Sequence, residues 1–261
     1  MEIIVSLTTS PKRILLMEPV INSILNQSIK PTYIRINIPK VFNRTNKKYI
    51  IPDFINNNNK IKIYKYENDL GPIMKILPTI LESKINNIYI YCDDDILWLP
   101  RTIEGYMNFL KDDDTNIYCY SGFNFINNEY IEKLELREIW YKNKTKVDIP
   151  EGYLSVCMTG KISNKLKQNI QPYYNKTTQY TESLTCDDII LGNFYLMNNI
   201  NIIKIKTEHM SNKIWWKDTS KELEYGLEDD ALQNINEGSG HIKSYKKVYN
   251  FLKKNNILYI S

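Results

Sequence analysis

The sequence has 261 residues, and its 34 Lys and Arg residues exceed its 30 Asp and Glu residues, giving a formal net charge of +4. The basic residues form no concentrated block, which argues against a dedicated nucleic-acid-binding protein. No segment approaches the roughly 18 apolar residues of a membrane span, so we expect no integral membrane segment. Hydrophobic residues make up 43% of the chain, as expected of a folded globular protein.

The four cysteines lie far apart and form no Cys-X-X-Cys pair: Cys92, Cys119, Cys157 and Cys186. Most lie in or beside apolar segments, which favours buried free thiols over disulfides or metal ligands. Free thiols are typical of a reducing compartment. The start of the sequence also lacks the features of a signal peptide, so we expect a cytoplasmic protein. The sequence indicates nothing about its oligomeric state.

Short strands alternate with helices over about the first 120 residues. The predicted strands are EIIVSL, YIRINIP, KIKIYKY and NIYIYC. GPIMKILPTILES predicts a helix kinked at Pro78, and Pro100 opens another helix. This alternation implies βαβ units and a mostly parallel sheet. Ligands of such sheets bind beyond the carboxyl ends of the strands, here near residues 8–13, Asp69 and residues 93–95.

The second half is less regular. The patterns indicate a strand in YCYSGFNF, a strand or hairpin in VDIPEGYLSVCMTGKI, an N-capped helix in CDDIILGNFYLMNN, a strand in INIIKIKTEH and an amphipathic helix in SYKKVYNFLKKN. With no internal repeat and no Gly/Ser linker, the simplest organisation is one domain with two halves. Residues 1–115 would bind a nucleotide, and residues 116–261 would bind an acceptor and carry catalysis.

Two aspartate triplets have different contexts. Asp93–Asp95 follow an apolar strand, where alternation lets Asp93 and Asp95 point together and Asp94 point away. Carboxylates at that spacing can hold Mg²⁺ or Mn²⁺ together with substrate phosphates. The alternative is a loop whose aspartate caps the following helix. Residues 112–114 follow the end of a helix and are expected to face water.

Two aspartate pairs come later in the sequence. Asp187 and Asp188 precede an apolar helical run, so one is expected to be its N-cap. The other could be a general base whose pKa is tuned by the neighbouring carboxylate. Residues 229 and 230 resemble an acidic helix start and are interpreted as structural.

Taken in order, four blocks resemble GT-A-fold glycosyltransferases, in particular the bacterial and viral enzymes grouped as family-2-like. They are IIVSLTTSPKRI with SILNQSIKPTYIRINIP, NDLGPIMKILPTIL, IYIYCDDDILWLP, and VDIPEGYLSVCM with CDDIILGNFYLMNNINI. The second and third are the specific ones. The resemblance implies an α/β fold of the GT-A, Rossmann-like type, with a mixed, mostly parallel central sheet flanked by helices.

The resemblance also implies a binding site for a nucleoside-diphosphate sugar. Thr8, Thr9 and Arg13 would meet the base and ribose, Asp69 would bond the base, and Lys75 would lie near the pyrophosphate. As alternatives, the threonines are turn residues, Arg13 and Lys75 are surface bases, and Asp69 is a helix cap.

By the same resemblance, Asp93 would reach the ribose or a metal-bound water, and Asp95 would bind the Mn²⁺ or Mg²⁺ that bridges the phosphates. Asp94 is grouped with the donor-binding residues. In an inverting enzyme Asp188, or else Asp187, would deprotonate the acceptor hydroxyl.

Four further residues are candidates around this site. His241 could be an additional metal ligand or an ordinary surface histidine. Trp215 and Trp216 could stack on a sugar and close over the donor, or could pack in the core. Glu151 lies in the segment that resembles the acceptor-side hairpin.

The favoured function is metal-dependent transfer of a sugar, most often from a UDP-sugar in this family, to a hydroxyl of a glycan or another acceptor. A sugar-phosphate nucleotidyltransferase is the enzymatic alternative, although LTTSPKRI lacks the glycines of a triphosphate-binding loop. A non-catalytic carbohydrate-binding protein is the third possibility. The retained charges of Lys75, Asp93, Asp95 and Asp188 argue against it.

Overall fold

The computed structural model describes residues 1–124, 144–206 and 242–260. The strands are β1 (Ile3–Leu7), β2 (Tyr33–Pro39), β3 (Ile61–Tyr66), β4 (Ile88–Tyr91), β5 (Ile117–Cys119), β6 (Gly122–Phe123), β7 (Lys144–Val147), β8 (Ile149–Pro150), β9 (Val156–Thr159) and β10 (Ile202–Ile205). The α-helices are α1 (Glu18–Leu25), α2 (Asp53–Asn56), α3 (Leu77–Leu81), α4 (Thr102–Asp112), α5 (Gly160–Leu166), α6 (Ile170–Thr177), α7 (Asp187–Met197) and α8 (Ile242–Lys254). Short 3-10 helices span Arg13–Leu15, Gly71–Lys75, Gly152–Leu154 and Thr181–Thr185.

Eight of these strands form one sheet in the order β3-β2-β1-β4-β9-β5-β10-β7. The strands β3, β2, β1 and β4 are parallel, and Val5 of β1 lies between Ile34 of β2 and Ile90 of β4. The strand β9 runs antiparallel to both neighbours, β4 and β5, and β7 runs antiparallel to β10 at the edge. The predicted mixed, mostly parallel sheet is therefore confirmed.

Helices cover both faces of this sheet because its inner strands, such as β1 and β4, are buried on both sides. In β1, Ile4 joins one buried cluster, whereas Ile3, Val5 and Leu7 join the other. The first cluster includes residues of α3, α6, α7 and α8, and the second includes residues of α1 and α4. The sheet is thus the middle layer of three, as expected for a parallel sheet with crossover helices.

The helix predicted across GPIMKILPTILES is two helices. A 3-10 helix, Gly71–Lys75, is followed by α3, and Pro78 lies in the first turn of α3. A proline there removes no hydrogen bond, because the first N–H groups of a helix have no intrahelical partner. Pro78 therefore starts the second helix and does not kink a single one. The break lets Lys75 end one helix while Ile76 and Leu77 enter the core.

In the second half, the structure confirms the helix of CDDIILGNFYLMNN, the strand β10 and the amphipathic helix α8. The predicted strand YCYSGFNF is divided into β5 and β6. The N-cap prediction is wrong: Cys186 occupies the N-cap of α7, and Asp187 and Asp188 lie in its first turn without capping it through their side chains. Carboxylates in a first turn still interact favourably with the helix dipole.

The four cysteines are free and buried, as predicted. No helix within residues 1–124, 144–206 and 242–260 has the length and hydropathy needed to cross a membrane. The division of the domain between residues 115 and 116 stays a prediction.

Candidate functional site

The candidate site lies where the order of the parallel strands changes direction. From β1 the chain proceeds to β2 and β3 on one side, and then crosses to β4 on the other side. Open α/β sheets bind ligands beyond the carboxyl ends of the strands at such a point, here between the loops that follow β1 and β4. The loop after β1 carries Thr8 and Thr9, and the loop after β4 carries Asp93–Asp95.

Lys75 is the buried centre of the site, with 2% of its surface exposed. Its Nζ forms one ion pair with Asp93 and another with Asp187 Oδ2 at 2.9 Å. The carbonyl of Lys75 accepts a hydrogen bond from Ser6 Oγ at 2.6 Å. Asn37 Nδ2 in turn donates to Ser6 Oγ at 3.1 Å. Polar side chains of β1 and β2 therefore fix the backbone from which the ammonium group reaches the carboxylates.

Arg13 organises the other two aspartates of the triplet. Its Nη1 lies 3.0 Å from Asp94 Oδ1, and its Nη2 bonds Asp95. Asp94 is 5% exposed, whereas the side chain of Asp95 is 30% exposed. The structure therefore groups Asp94 with Asp95 through a shared guanidinium, while Asp93 belongs to Lys75. The expected arrangement, in which Asp93 and Asp95 point together and Asp94 points away, is not the one observed.

Asp188 lies in the first turn of α7 and keeps part of its surface exposed. Its Oδ1 accepts the backbone N–H of Gly152 at 3.0 Å, and its Oδ2 accepts the hydroxyl of Tyr245 at 3.2 Å. A Cβ atom on Gly152 would lie 2.6 Å from Lys75 Nζ and 3.4 Å from Asp188 Oδ1. Any larger residue at position 152 would therefore displace the ammonium group of Lys75.

Negative charge exceeds positive charge in this site. Two bases, Lys75 and Arg13, face five carboxylates, those of Asp93, Asp94, Asp95, Asp187 and Asp188. Burial raises the pKa of Asp95 to about 6, even though Arg13 opposes the shift. Burial likewise raises the pKa of Asp94 and of Asp187, against the opposing effects of Arg13 and Lys75 respectively. The pKa of Asp188 is raised well above its usual value, first by burial and then by the charge of Asp187.

The two bases stay protonated. Burial alone would lower the pKa of Lys75, but the carboxylates of Asp187, Asp93 and Asp188 raise it well above its usual value. The same balance raises the pKa of Arg13, for which Asp94 and Asp95 outweigh the effect of burial. Lys75 is therefore a permanent buried cation, not the solvent-facing lysine that its position in an amphipathic helix also allowed.

Thr8, Thr9 and Asp69 lie in the loops around this centre. Thr8 Oγ1 donates to the carbonyl of Asn37 at 2.7 Å, and the carbonyl of Thr9 accepts the hydroxyl of Tyr49 at 2.8 Å. Asp69 accepts the N–H of Gly71 at 2.9 Å through Oδ1, and a second N–H, from residue 43, at 2.9 Å through Oδ2. Thr8 and Asp69 thus brace the loops through their side chains and Thr9 through its carbonyl, and the contact of all three with a nucleotide stays a prediction.

Glu151 directly precedes Gly152, and its Oε2 accepts the hydroxyl of Ser121 at 2.6 Å. Its charge contributes to the raised pKa of Asp188, after burial and after the effects of Asp187, Lys75 and Asp93. His241, Trp215 and Trp216 lie outside the described residues, as do His209 and residues 229 and 230.

Sequence reasoning missed two residues of the site, Gly152 and Tyr245. Gly152 lies beside Glu151 in EGYLSV, and a glycine in a segment expected to pair as a strand was a usable signal. Tyr245 gave no such signal. It shares a helical face with the buried residues Val248, Tyr249 and Leu252, a pattern that predicts an ordinary core residue.

The chain matches no protein-family model and no curated protein. Among solved structures, it resembles the mannosyltransferase PcManGT from Pyrobaculum calidifontis in complex with GDP-Man and Mn²⁺, with a TM-score of 0.50 and 10% sequence identity. The similarity covers 82% of this chain and 58% of that one. The chain has the GT-A-like glycosyltransferase fold.

Two other structures share less of this GT-A-like fold. S. aureus TarS 1–349 in complex with UDP gives a TM-score of 0.44 at 11% identity, over 79% of this chain and 59% of that one. A longer structure of S. aureus TarS gives 0.47 at 11% identity, over 79% of this chain and 36% of that one. This chain thus spans less than two thirds of each of the three structures.

A divalent metal ion fits the donor atoms of this site. Within the described part of the chain, no group of three His, Cys, Asp or Glu side chains is placed to hold an ion. Mg²⁺, however, is commonly held by one or two carboxylates, with substrate phosphates completing its shell. Asp93 and Asp95, with side chains 37% and 30% exposed, are accessible hard oxygen donors in a site with excess negative charge. Each is already paired with a base, so an ion would compete with Lys75 and Arg13.

Proposed function

We propose that this chain transfers a sugar from a nucleoside-diphosphate sugar to a hydroxyl acceptor. The observation that carries the proposal is that the buried Lys75 forms ion pairs both with Asp93, just after β4, and with Asp187, the first residue of α7. The GT-A-like fold supports it, as does the nucleotide sugar in the complex of the mannosyltransferase neighbour. In this proposal Asp93 belongs to the donor side of the site, and the start of α7 belongs to the acceptor side.

The donor side comprises the loops after β1 and β4. Thr8, Thr9 and Asp69 border the crevice in which the base and ribose bind, and Arg13 holds Asp94 and Asp95 at its rim. Lys75 supplies a fixed positive charge beside the diphosphate that leaves when the glycosidic bond breaks. A preorganised cation in a water-poor site stabilises such developing charge far better than one in bulk water.

The acceptor side comprises α7 and the Gly152–Leu154 helix. Asp188 accepts the proton of the acceptor hydroxyl as the hydroxyl oxygen attacks the sugar, and Glu151 borders the acceptor. The raised pKa of Asp188 makes it a stronger base than an exposed aspartate, which suits this task near neutral pH. Asp187 already forms an ion pair with Lys75. Asp188 is therefore favoured over Asp187 as the base in an inverting transfer.

Mn²⁺ or Mg²⁺, when bound, would supply further positive charge to the departing diphosphate. Asp93 and Asp95 are the residues that would hold it. Arg13 donates a hydrogen bond to Asp95, so metal binding at Asp95 would weaken that hydrogen bond. UDP is the favoured nucleotide from the family resemblance.

The test is a titration of the protein with UDP-, GDP- and dTDP-sugars, with and without Mn²⁺, following the melting temperature and the release of nucleoside diphosphate. We expect one diphosphate to stabilise the protein in a metal-dependent way and Asp95→Ala to abolish that effect. The matched control is Asp114→Ala, which removes a half-buried carboxylate of the other triplet, paired with Lys161. If none of the nucleotides binds in a metal-dependent way, the proposal is refuted.

The base is tested separately with Asp188→Asn. This variant keeps the size and one acceptor oxygen of the side chain but lacks the basic carboxylate. We expect it to bind the donor as the wild type does and to lose transfer. Normal transfer by Asp188→Asn would exclude Asp188 as the base, and Asp187 or a retaining mechanism would replace it.

A further inference from the structure

The helix α8 contributes a side chain to the candidate site. The hydroxyl of Tyr245 donates to Asp188 Oδ2 at 3.2 Å, although the two residues are 57 positions apart. Tyr245 is 7% exposed, and its ring stacks on Phe123 with centroids 5.8 Å apart and planes inclined by 20°. Its hydroxyl is therefore held in place by a ring that is itself packed.

The rest of α8 and the residues after it attach firmly to the helix that carries Asp188. Asn193 of α7 donates to the carbonyl of Ile257 at 2.8 Å and accepts the N–H of Tyr259 at 2.6 Å. Phe251 of α8 stacks on Tyr180, with centroids 4.9 Å apart and planes inclined by 11°. The Tyr245–Asp188 contact is thus one of several that join α8 and the residues after it to α7 and to the segment before it.

The two oxygens of Asp188 have different donors. Gly152 N–H bonds Oδ1, and Tyr245 O–H bonds Oδ2. A carboxylate held at one oxygen can still rotate about its terminal bond, because that torsion is broad. A second donor on the other oxygen restricts the rotation and leaves the remaining lone pairs in a defined direction.

We propose that Tyr245 is a positioning residue that fixes the orientation of Asp188 and stabilises its ionised form. This inference rests on the proposed function insofar as Asp188 is the acceptor base. A hydrogen bond to the charged form of a carboxyl group favours that form. The hydroxyl of Tyr245 therefore keeps Asp188 ionised at a lower pH than the surroundings alone would allow.

The other groups around Asp188 determine the direction of the effect. Among the residues that the structure describes, the main charged ones are Asp187, Lys75, Asp93 and Glu151, and of these four Lys75 alone favours the ionised form. The neutral ones are Tyr91, Tyr153, Tyr195, Cys119 and Cys186, and burial raises the pKa of each away from the neutral range. The site thus already has surplus negative charge, and removing the hydroxyl of Tyr245 takes away one hydrogen bond that favours the ionised form, so the pKa of Asp188 should rise.

The experiment uses Tyr245→Phe, which keeps the ring on Phe123 and deletes only the hydroxyl. We expect kcat to fall about tenfold, the loss predicted for one hydrogen bond to a charged group, with KM for the donor unchanged. The acidic limb of the pH profile of kcat should move to higher pH. Tyr249→Phe is the matched control, because Tyr249 is a buried tyrosine one turn further along α8. It should keep the wild-type profile.

A second measurement does not depend on transfer activity. With ¹³C-labelled aspartate, the carboxyl carbon of Asp188, assigned by its loss in Asp188→Asn, can be titrated in the wild type and in Tyr245→Phe. We expect the midpoint to be at least about half a pH unit higher in Tyr245→Phe, in line with a lost charge-assisted hydrogen bond. An unchanged midpoint would overturn the inference even if the wild type transfers sugar. A raised midpoint in a protein that transfers no sugar would uphold the contact and refute the proposed function instead.

Discussion

Replacing Lys75 with methionine tests the charge balance of the site most directly. Methionine fills nearly the same space but leaves Asp93 and Asp187 without their shared cation. Removing one partner of a buried ion pair costs about 3–5 kcal/mol, because the other charge stays buried. The side chains of Lys75 and Asp187 are only 3% and 9% exposed, whereas that of Asp93 is 37% exposed and keeps contact with water. We therefore expect the lower end of the range, about 3 kcal/mol, near pH 7.5.

The loss of stability caused by Lys75→Met should increase with pH. The pKa values of Asp187 and Asp188 are raised in the folded state. At pH values above the usual carboxyl pKa, the folded protein therefore binds more protons than the unfolded chain does. Stability therefore falls as pH rises through that window. Loss of Lys75 raises both pKa values further and steepens the fall. The destabilisation by Lys75→Met should thus be much smaller near pH 5 than near pH 7.5.

Urea unfolding of the wild type and Lys75→Met at both pH values measures these differences. The matched control is Lys161→Met, because Lys161 forms an ion pair with Asp114 but is 65% exposed. Exposed pairs contribute about 0–1 kcal/mol, so this control should change stability little at either pH. If Lys75→Met were as stable as Lys161→Met at pH 7.5, or lost equal stability at both pH values, the electrostatic reasoning would be wrong.

Two glycine substitutions should separate folding from function. Gly71 has φ of 75°, and an added Cβ would lie 2.6 Å from the carbonyl oxygen of Leu184, so Gly71→Ala should cost about 2 kcal/mol or more in urea unfolding. A cost near zero would show that the backbone there relaxes freely. Gly152→Ala places a Cβ against Lys75 and Asp188. It should lower kcat about 100-fold, since small displacements of catalytic groups have effects of that size, and wild-type kcat would contradict the assigned geometry.

The strands of the first half were predictable because β1 and β4 are short apolar runs buried on both faces, whereas β2 and β3 alternate apolar and polar residues. The strand predicted from YIRINIP coincides with β2, Tyr33–Pro39. The exception was the helix around Pro78, where a proline in the middle of an apolar stripe can either kink one helix or start another. Tertiary packing decides between the two, since Ile76 is fully buried at the break.

The sequence predicted which segments meet, but not which side chains pair. The carboxyl-edge rule pointed to residues 8–13, the segment around Asp69 and Asp93–Asp95, and in the structure Arg13 contacts Asp94 and Asp95 while Lys75 contacts Asp93. Strand alternation failed for Asp94, because the triplet lies beyond the last strand residue, Tyr91, and a loop has no period of two. Arg13 then draws Asp94 and Asp95 to one side, a contact that no local pattern encodes.

The separation along the chain of the paired residues has a consequence for biosynthesis. Lys75 meets Asp187, 112 positions later, and Asp188 meets Tyr245, a further 57 positions on. Contacts this distant require large loops to close first, and they form after local ones. Asp93 can meet Lys75 early, because only 18 positions separate them. Asp188, in contrast, stays an ordinary exposed acid while the chain emerges from the ribosome, and it acquires its tyrosine only after Tyr245 has been made.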